Sequence, residues 1–273
     1  MSEFQKRVIT GLSGFFFLLA LMIWGGFPAI GLIALIVSLG MLTEFVNIVF
    51  SLPDRAEKRI VLQVLVGMMA VVFWVFPQKE TAYAIFSFLF LSTYFLVIAK
   101  RYEGSSLLAH CQELMYAVFG LVYLGILPLF LPAIRRGLFG REWILLFFLI
   151  VWAGDTGAYF VGKKFGRHKL YPKISPKKTV EGSIGGLAVS VIVAVLFRGW
   201  FFNEVSLEAV MTIAVMVCSA SQVGDLIESM VKRAFDKKDS GSILPGHGGF
   251  LDRFDSVVFS LPIMYACIKY VSL

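Results

Sequence analysis

Apolar residues run along this chain in stretches too long for the helices of a soluble core and too numerous for a single anchor. A bilayer core of ~30 Å asks for ~20 mostly apolar residues per helix. Such stretches fall at 8–24, 27–49, 60–76, 80–99, 112–132, 142–162, 183–202, 207–231 and 254–271. The pattern predicts an all-α, polytopic integral membrane protein of about nine spanning helices. The first run follows Lys6 and Arg7, as in a secretory leader, but it is long and lacks a clear small-residue cleavage site, so a retained span is expected.

Charge sharpens this picture. Charged residues are 16% of the 273 and hydrophobic residues 58%, against roughly 25% charge in an average soluble domain. On one side of the predicted spans lie Lys6, Arg7, Arg55, Lys58, Arg59, Lys100 and Arg101, the basic cluster from Lys163 to Lys178, and the cluster from Lys232 to Arg253. The other side keeps only Lys79, Arg135, Arg136, Arg141, Arg198 and Lys269. Basic loops stay inside, so the N-terminus and both basic loops are expected in the cytoplasm. The net charge of +7 then belongs to topology and to anionic lipid. No aromatic–basic pattern suggests nucleic acid as a partner. Cys111, Cys218 and Cys267 are too scattered for a disulfide framework or a metal cluster.

Chemistry concentrates late in the chain. Residues 1–140 read as a transmembrane scaffold half of about five helices. Residues 141–273 read as a catalytic half with two basic cytoplasmic loops. Charged side chains within a span are costly, and each is a functional candidate. Glu44, Asp155 and Asp225 sit at a similar depth, roughly 8–12 Å below the inner surface, which suggests one water-filled cavity. The alternative for each is a structural ion pair between helices, or a hydrated acid that touches nothing. Asp155 lies in a Gly-rich stretch that also permits plain helix packing. Asp225 shares a helix face with Glu228, Ser229 and Lys232.

The first basic loop ends in Ser175-Pro176-Lys177-Lys178-Thr179 just before a helix. That is either a phosphate-binding element at a helix N-terminus, or topology-setting charge with Thr179 or Ser183 as an ordinary cap. The second loop carries Lys232, Arg233, Lys238, Gly246, His247, Gly248 and Gly249, then Asp252, Arg253 and Asp255. Its glycines allow backbone N–H groups to cradle an anion. Asp252 and Asp255 could serve the helix dipole or a divalent cation that bridges phosphates, for which Mg²⁺ is the hard-ion choice. His247 has no partners at metal spacing, and a turn or phosphate contact suits it better.

The run from Ser229 through Lys232-Arg233, Lys238-Asp239, Pro245, His247-Gly248-Gly249 and Asp252-Arg253-Phe254-Asp255 resembles the signature of phosphatidate cytidylyltransferases. Trp152…Asp155-Thr156-Gly157-Ala158-Tyr159 and Ser175-Pro176-Lys177-Lys178-Thr179…Glu181-Gly182 are similar to that family too. The resemblance covers roughly 152–255. It implies a multi-pass, homodimeric enzyme of phospholipid synthesis in the inner cell membrane. Such an enzyme joins CTP to phosphatidic acid, gives CDP-diacylglycerol and pyrophosphate, and requires Mg²⁺. It also implies metal on Asp225, Asp252 and Asp255, and is compatible with a second, monovalent cation such as K⁺. Lys232, Arg233, Lys238 and Arg253 are then expected to neutralise the triphosphate. Ser175, Lys177, Lys178, Thr179, Asp155, Ser229, His247, Gly248 and Gly249 are expected to contact substrate. A transporter for a phosphorylated solute would show polar residues across the whole bilayer, whereas here they cluster toward one side. A CDP-alcohol phosphotransferase would need a different acidic spacing.

Overall fold

The computed structural model of the protein describes residues 19–50, 55–76, 107–241 and 248–271, with Phe16, Ser92 and Tyr94. The helices are α1 (Phe27–Val49), α2 (Arg55–Val75), α3 (Leu107–Gly120), α4 (Phe130–Arg136), α5 (Gly140–Phe165), α6 (Val180–Phe201), α7 (Leu207–Ala234) and α8 (Leu251–Val271). Among the described residues, seven helical segments are long and apolar enough to cross a membrane, with α3 and α4 joined into one segment, Leu107–Arg136. The expected span at 80–99 lies outside the described residues apart from Ser92 and Tyr94, and that at 8–24 is described only at Phe16 and from residue 19. Several helices outrun their apolar stretch. α2 starts at Arg55 and α5 runs on through Lys163 and Lys164 to Phe165, because long basic side chains let a helix continue beyond the hydrocarbon layer.

The chain forms two compact units. One is Gly31–Leu129; the other joins the chain up to Ile30 with Phe130–Leu273. Within the first, the chain from Leu107 passes through a π-helical turn at Leu121–Ile126 and a 3₁₀ turn at Leu127–Leu129. Pro128 explains the irregularity, since proline has no N–H for the carbonyl four residues back. That carbonyl, of Leu124, takes the hydroxyl of buried Ser38 instead. Lys58 and Glu113 pair at 2.7 Å in the same unit.

In the second unit α5, α6, α7 and α8 pack on one another through small residues. Gly182, Gly186, Ser190 and Ala194, spaced by four on α6, are all buried. A Cβ on Gly186 would stand 2.6 Å from the Gly154 carbonyl oxygen, and one on Gly157 would stand 2.9 Å from Val189. Such stripes let helix backbones touch, which is how apolar helices associate where burial from water gives no drive. Gly224 of α7 does the same against α8, meeting Phe259 and the Asp255 carbonyl. Between α5 and α6 the chain makes an antiparallel hairpin, β1 (Lys169–Tyr171) and β2 (Ser175–Thr179). The otherwise helical pattern did not anticipate it.

Candidate active site

The hairpin is built by backbone pairing. Lys169 stands opposite Thr179, and Tyr171 opposite Ser175. Thr179 caps α6, its Oγ1 accepting the Gly182 N–H at 3.1 Å. The alternative cap, Ser183, donates its hydroxyl to Gln222 of α7. One side chain fastens the hairpin to the helix that follows. The Glu181 carboxylate accepts the backbone N–H of Arg167 at 3.0 Å and that of His168 at 3.2 Å, and meets His168 Nδ1 at 2.6 Å. The strand carrying Lys177 and Lys178 therefore enters α6 at a fixed place.

That strand forms one wall of a cavity of about 350 Å³. Lys177, Lys178 and Thr179 face Asp155, Tyr159 and Lys163 of α5 and Asp225 of α7. Lys178 Nζ lies 2.7 Å from Asp225 Oδ2, and the Ser229 hydroxyl donates to Asp225 Oδ1 at 3.4 Å. Glu44, placed by sequence at the same depth, is buried in the other unit.

A second cluster continues up α7. Lys232 Nζ bridges Glu228 Oε2 at 2.8 Å and Asp252 Oδ1 at 2.6 Å. Asp252 also accepts the backbone N–H groups of Ser240 at 3.0 Å and Gly249 at 3.2 Å. Gly248, at φ +82°, takes the left-handed conformation that glycine adopts without strain. Asp255, one turn further, is buried; its Oδ1 accepts the Ser256 N–H at 2.7 Å, and it lies within electrostatic range of Asp225 and Glu228. Arg233, Lys238 and Arg253 are exposed at the same end of these helices. Arg233 donates to the Lys237 carbonyl at 3.3 Å. Ser175 sits in β2 opposite Tyr171. His247 lies outside the described residues.

Two features bear on the metal. Among the described residues, Lys232 alone pairs with both carboxylates, and Glu228, 2% exposed, keeps Oε1 buried with no hydrogen-bond partner. Uncompensated buried charge is costly, and a cation beside Glu228 and Asp225 would balance it. Among the described residues no three acidic, His or Cys side chains form a ready-made metal cage. Mg²⁺ needs none, because it is usually held by one or two carboxylates together with substrate phosphates. The residues thus fit a divalent cation that arrives with substrate. Glu228, Glu181, Tyr159, Lys163 and Gln222 were not assigned to the site from sequence. The signal for Glu228 was its place on the polar stripe of α7, and for Tyr159 and Lys163 their spacing of four and eight from Asp155.

A sequence model of the cytidylyltransferase family matches residues 5–271. The chain is 32% identical over 283 residues to a phosphatidate cytidylyltransferase of Bacillus subtilis (strain 168), across 100% of both chains. It is 34% identical over 264 residues to one from Staphylococcus haemolyticus (strain JCSC1435), across 95% of this chain and 97% of that one. With one from Staphylococcus saprophyticus, identity is 44% over 153 residues, covering 56% of this chain and 58% of the relative.

Proposed function

The chain belongs to the cytidylyltransferase family, and from that premise we propose that it transfers the cytidylyl group of CTP to phosphatidic acid, giving CDP-diacylglycerol and pyrophosphate. The observation that carries this reading is the pair of lysine–carboxylate groups along α7: Lys178 with Asp225 on the cavity wall, and Lys232 with Glu228 and Asp252 further along the helix. A site built for polyanions needs cations that can turn to phosphate, and carboxylates to hold those cations meanwhile.

In the reaction a phosphatidate oxygen forms a bond to the α-phosphorus of CTP, and the bond from that phosphorus to the bridging oxygen of pyrophosphate breaks. A phosphomonoester with a second pKa of about 6 is largely ionised at neutral pH, so no strong general base is required. Catalysis then consists of positioning and charge neutralisation. Lys178 exchanges Asp225 for a phosphate oxygen, and Lys232 exchanges one of its two carboxylates for another. Arg233, Lys238 and Arg253 draw in the triphosphate from the aqueous side. Asp225, Asp252 and Asp255 would hold Mg²⁺, with Glu228 beside them; when bound, that ion neutralises charge on the reacting phosphates. On this reading the protein sits in the inner cell membrane with its basic end toward the cytoplasm, where soluble nucleotide and lipid meet.

The test is direct. Purified protein in detergent, given labelled CTP, phosphatidate and Mg²⁺, should yield CDP-diacylglycerol and pyrophosphate in equal amounts. Absence of product from folded protein would overturn the proposal.

A further inference from the structure

One acid in the cavity is left unexplained by phosphate chemistry. Asp155, Tyr159 and Lys163 follow at intervals of four along α5 and line the cavity together, as one helix face. Asp225 has Lys178, and Asp252 has Lys232. Asp155 is exposed into the cavity and, among the described residues, makes no hydrogen bond and no ion pair. A carboxylate on the wall of a polyanion site repels phosphate, so it suits a cation or a hydrogen-bond donor; the cavity's Lys178 already pairs with Asp225, which leaves the donor.

This reasoning rests on the reading of the chain as a CTP-dependent transferase. Of the two substrates, ionised phosphatidate carries no donor. CTP carries the exocyclic amine of cytosine and the ribose hydroxyls. Carboxylates pair with that amine, whereas uracil would set a carbonyl oxygen against Asp155. Tyr159, 61% exposed, adds an aromatic face one turn away, and bases stack on such faces. Lys163, with Nζ 5.8 Å from the Tyr159 ring centroid, stands one turn further along.

We propose that Asp155 and Tyr159 form the cytosine subsite, Asp155 accepting the exocyclic amine and Tyr159 stacking on the ring.

The experiment compares CTP, dCTP, UTP and the pyrimidinone triphosphate that lacks the amine, each with phosphatidate in detergent. The proteins are wild type, Asp155→Asn, Asp155→Ala and Tyr159→Ala. Wild type should lose about 10–100-fold in kcat/KM when the amine is absent. Asp155→Ala should lose a similar factor with CTP and show no further loss with the pyrimidinone. Asp155→Asn should shift the CTP:UTP preference at least ~10-fold toward UTP. Tyr159→Ala should raise the nucleotide KM and leave the phosphatidate KM unchanged. The proposal falls if wild type uses the pyrimidinone as well as CTP. It falls too if the Asp155 variants change only the CTP:dCTP preference and leave CTP:UTP as it was, which would point to the ribose, or only the Mg²⁺ requirement, which would point to metal. The wild-type comparison needs no variant to fold. A wild type that makes no CDP-diacylglycerol from CTP would defeat the functional reading itself, a distinct result.

Discussion

Lys178, on the second strand of the hairpin, lies 2.7 Å from Asp225, in the interior of α7. The contact joins an element made of backbone hydrogen bonds to one made for the membrane. It also holds each charge in place by means of the other. Removing one partner should therefore do more than remove one charge. Asp225→Asn is expected to lower kcat by at least ~100-fold, and Lys178→Met to raise the KM for nucleotide or phosphatidate by roughly 10-fold. The double variant should fall short of the product of the two losses, because residues in contact are not additive. Steady-state kinetics on all three, with size-exclusion profiles as the folding control, provide the check.

Glu228 and Lys232 give a second prediction. Lys232→Met would leave Glu228 and Asp252 facing each other with no cation between them. Breaking a buried pair from one side costs about 3–5 kcal/mol, and thermal unfolding in detergent should occur several degrees lower. Glu228→Gln keeps the shape and leaves Lys232 its Asp252 partner. It should fold normally and require roughly 10-fold more Mg²⁺ for half-maximal activity. An unchanged Mg²⁺ requirement would remove Glu228 from the metal's surroundings.

Glu181 acts at a distance from the reacting atoms. Glu181→Ala should free the backbone amides of Arg167 and His168, read as faster hydrogen exchange there. Small displacements of a positioned cation are costly, so kcat/KM should drop roughly 10-fold through misplacement of Lys177 and Lys178. Glu181→Gln, which still accepts hydrogen bonds, should recover most of it. Loss of activity without faster exchange would argue against the hairpin as the cause.

Hydropathy disclosed the helices because the membrane demands long apolar runs whatever the packing. It also marked Asp225 and Lys232, since polar side chains stand out there. The hairpin was hidden: Ser175-Pro176-Lys177-Lys178-Thr179 has no alternation of apolar and polar positions, and its strand exists through pairing with Lys169–Tyr171 and the Glu181 anchor. Spacing put Asp252 and Asp255 at the start of α8 without disclosing what each side chain touches. In the structure, Asp252 reaches Lys232 and two loop amides, while Asp255 is buried on α8. Partner choice of this kind depends on chain distant in sequence.

Helix contacts supply the last prediction. A Cβ on Gly182 would lie 2.8 Å from the Ala158 carbonyl oxygen and 2.9 Å from Thr179 Oγ1, whereas nothing lies within 4 Å of one on Gly199. Gly182→Ala should destabilise by about 1–3 kcal/mol through overpacking. Gly199→Ala, also within α6, should be neutral or stabilising by about 0.5–1 kcal/mol. Thermal unfolding of the pair in one detergent tests this.

Asp252 receives the N–H of Ser240 at one end of the glycine-rich loop and of Gly249 at the other, so one side chain closes the loop as a cross-link would. Removing that one carboxylate would release Ser240 and Gly249 together, so the two ends share a single point of failure.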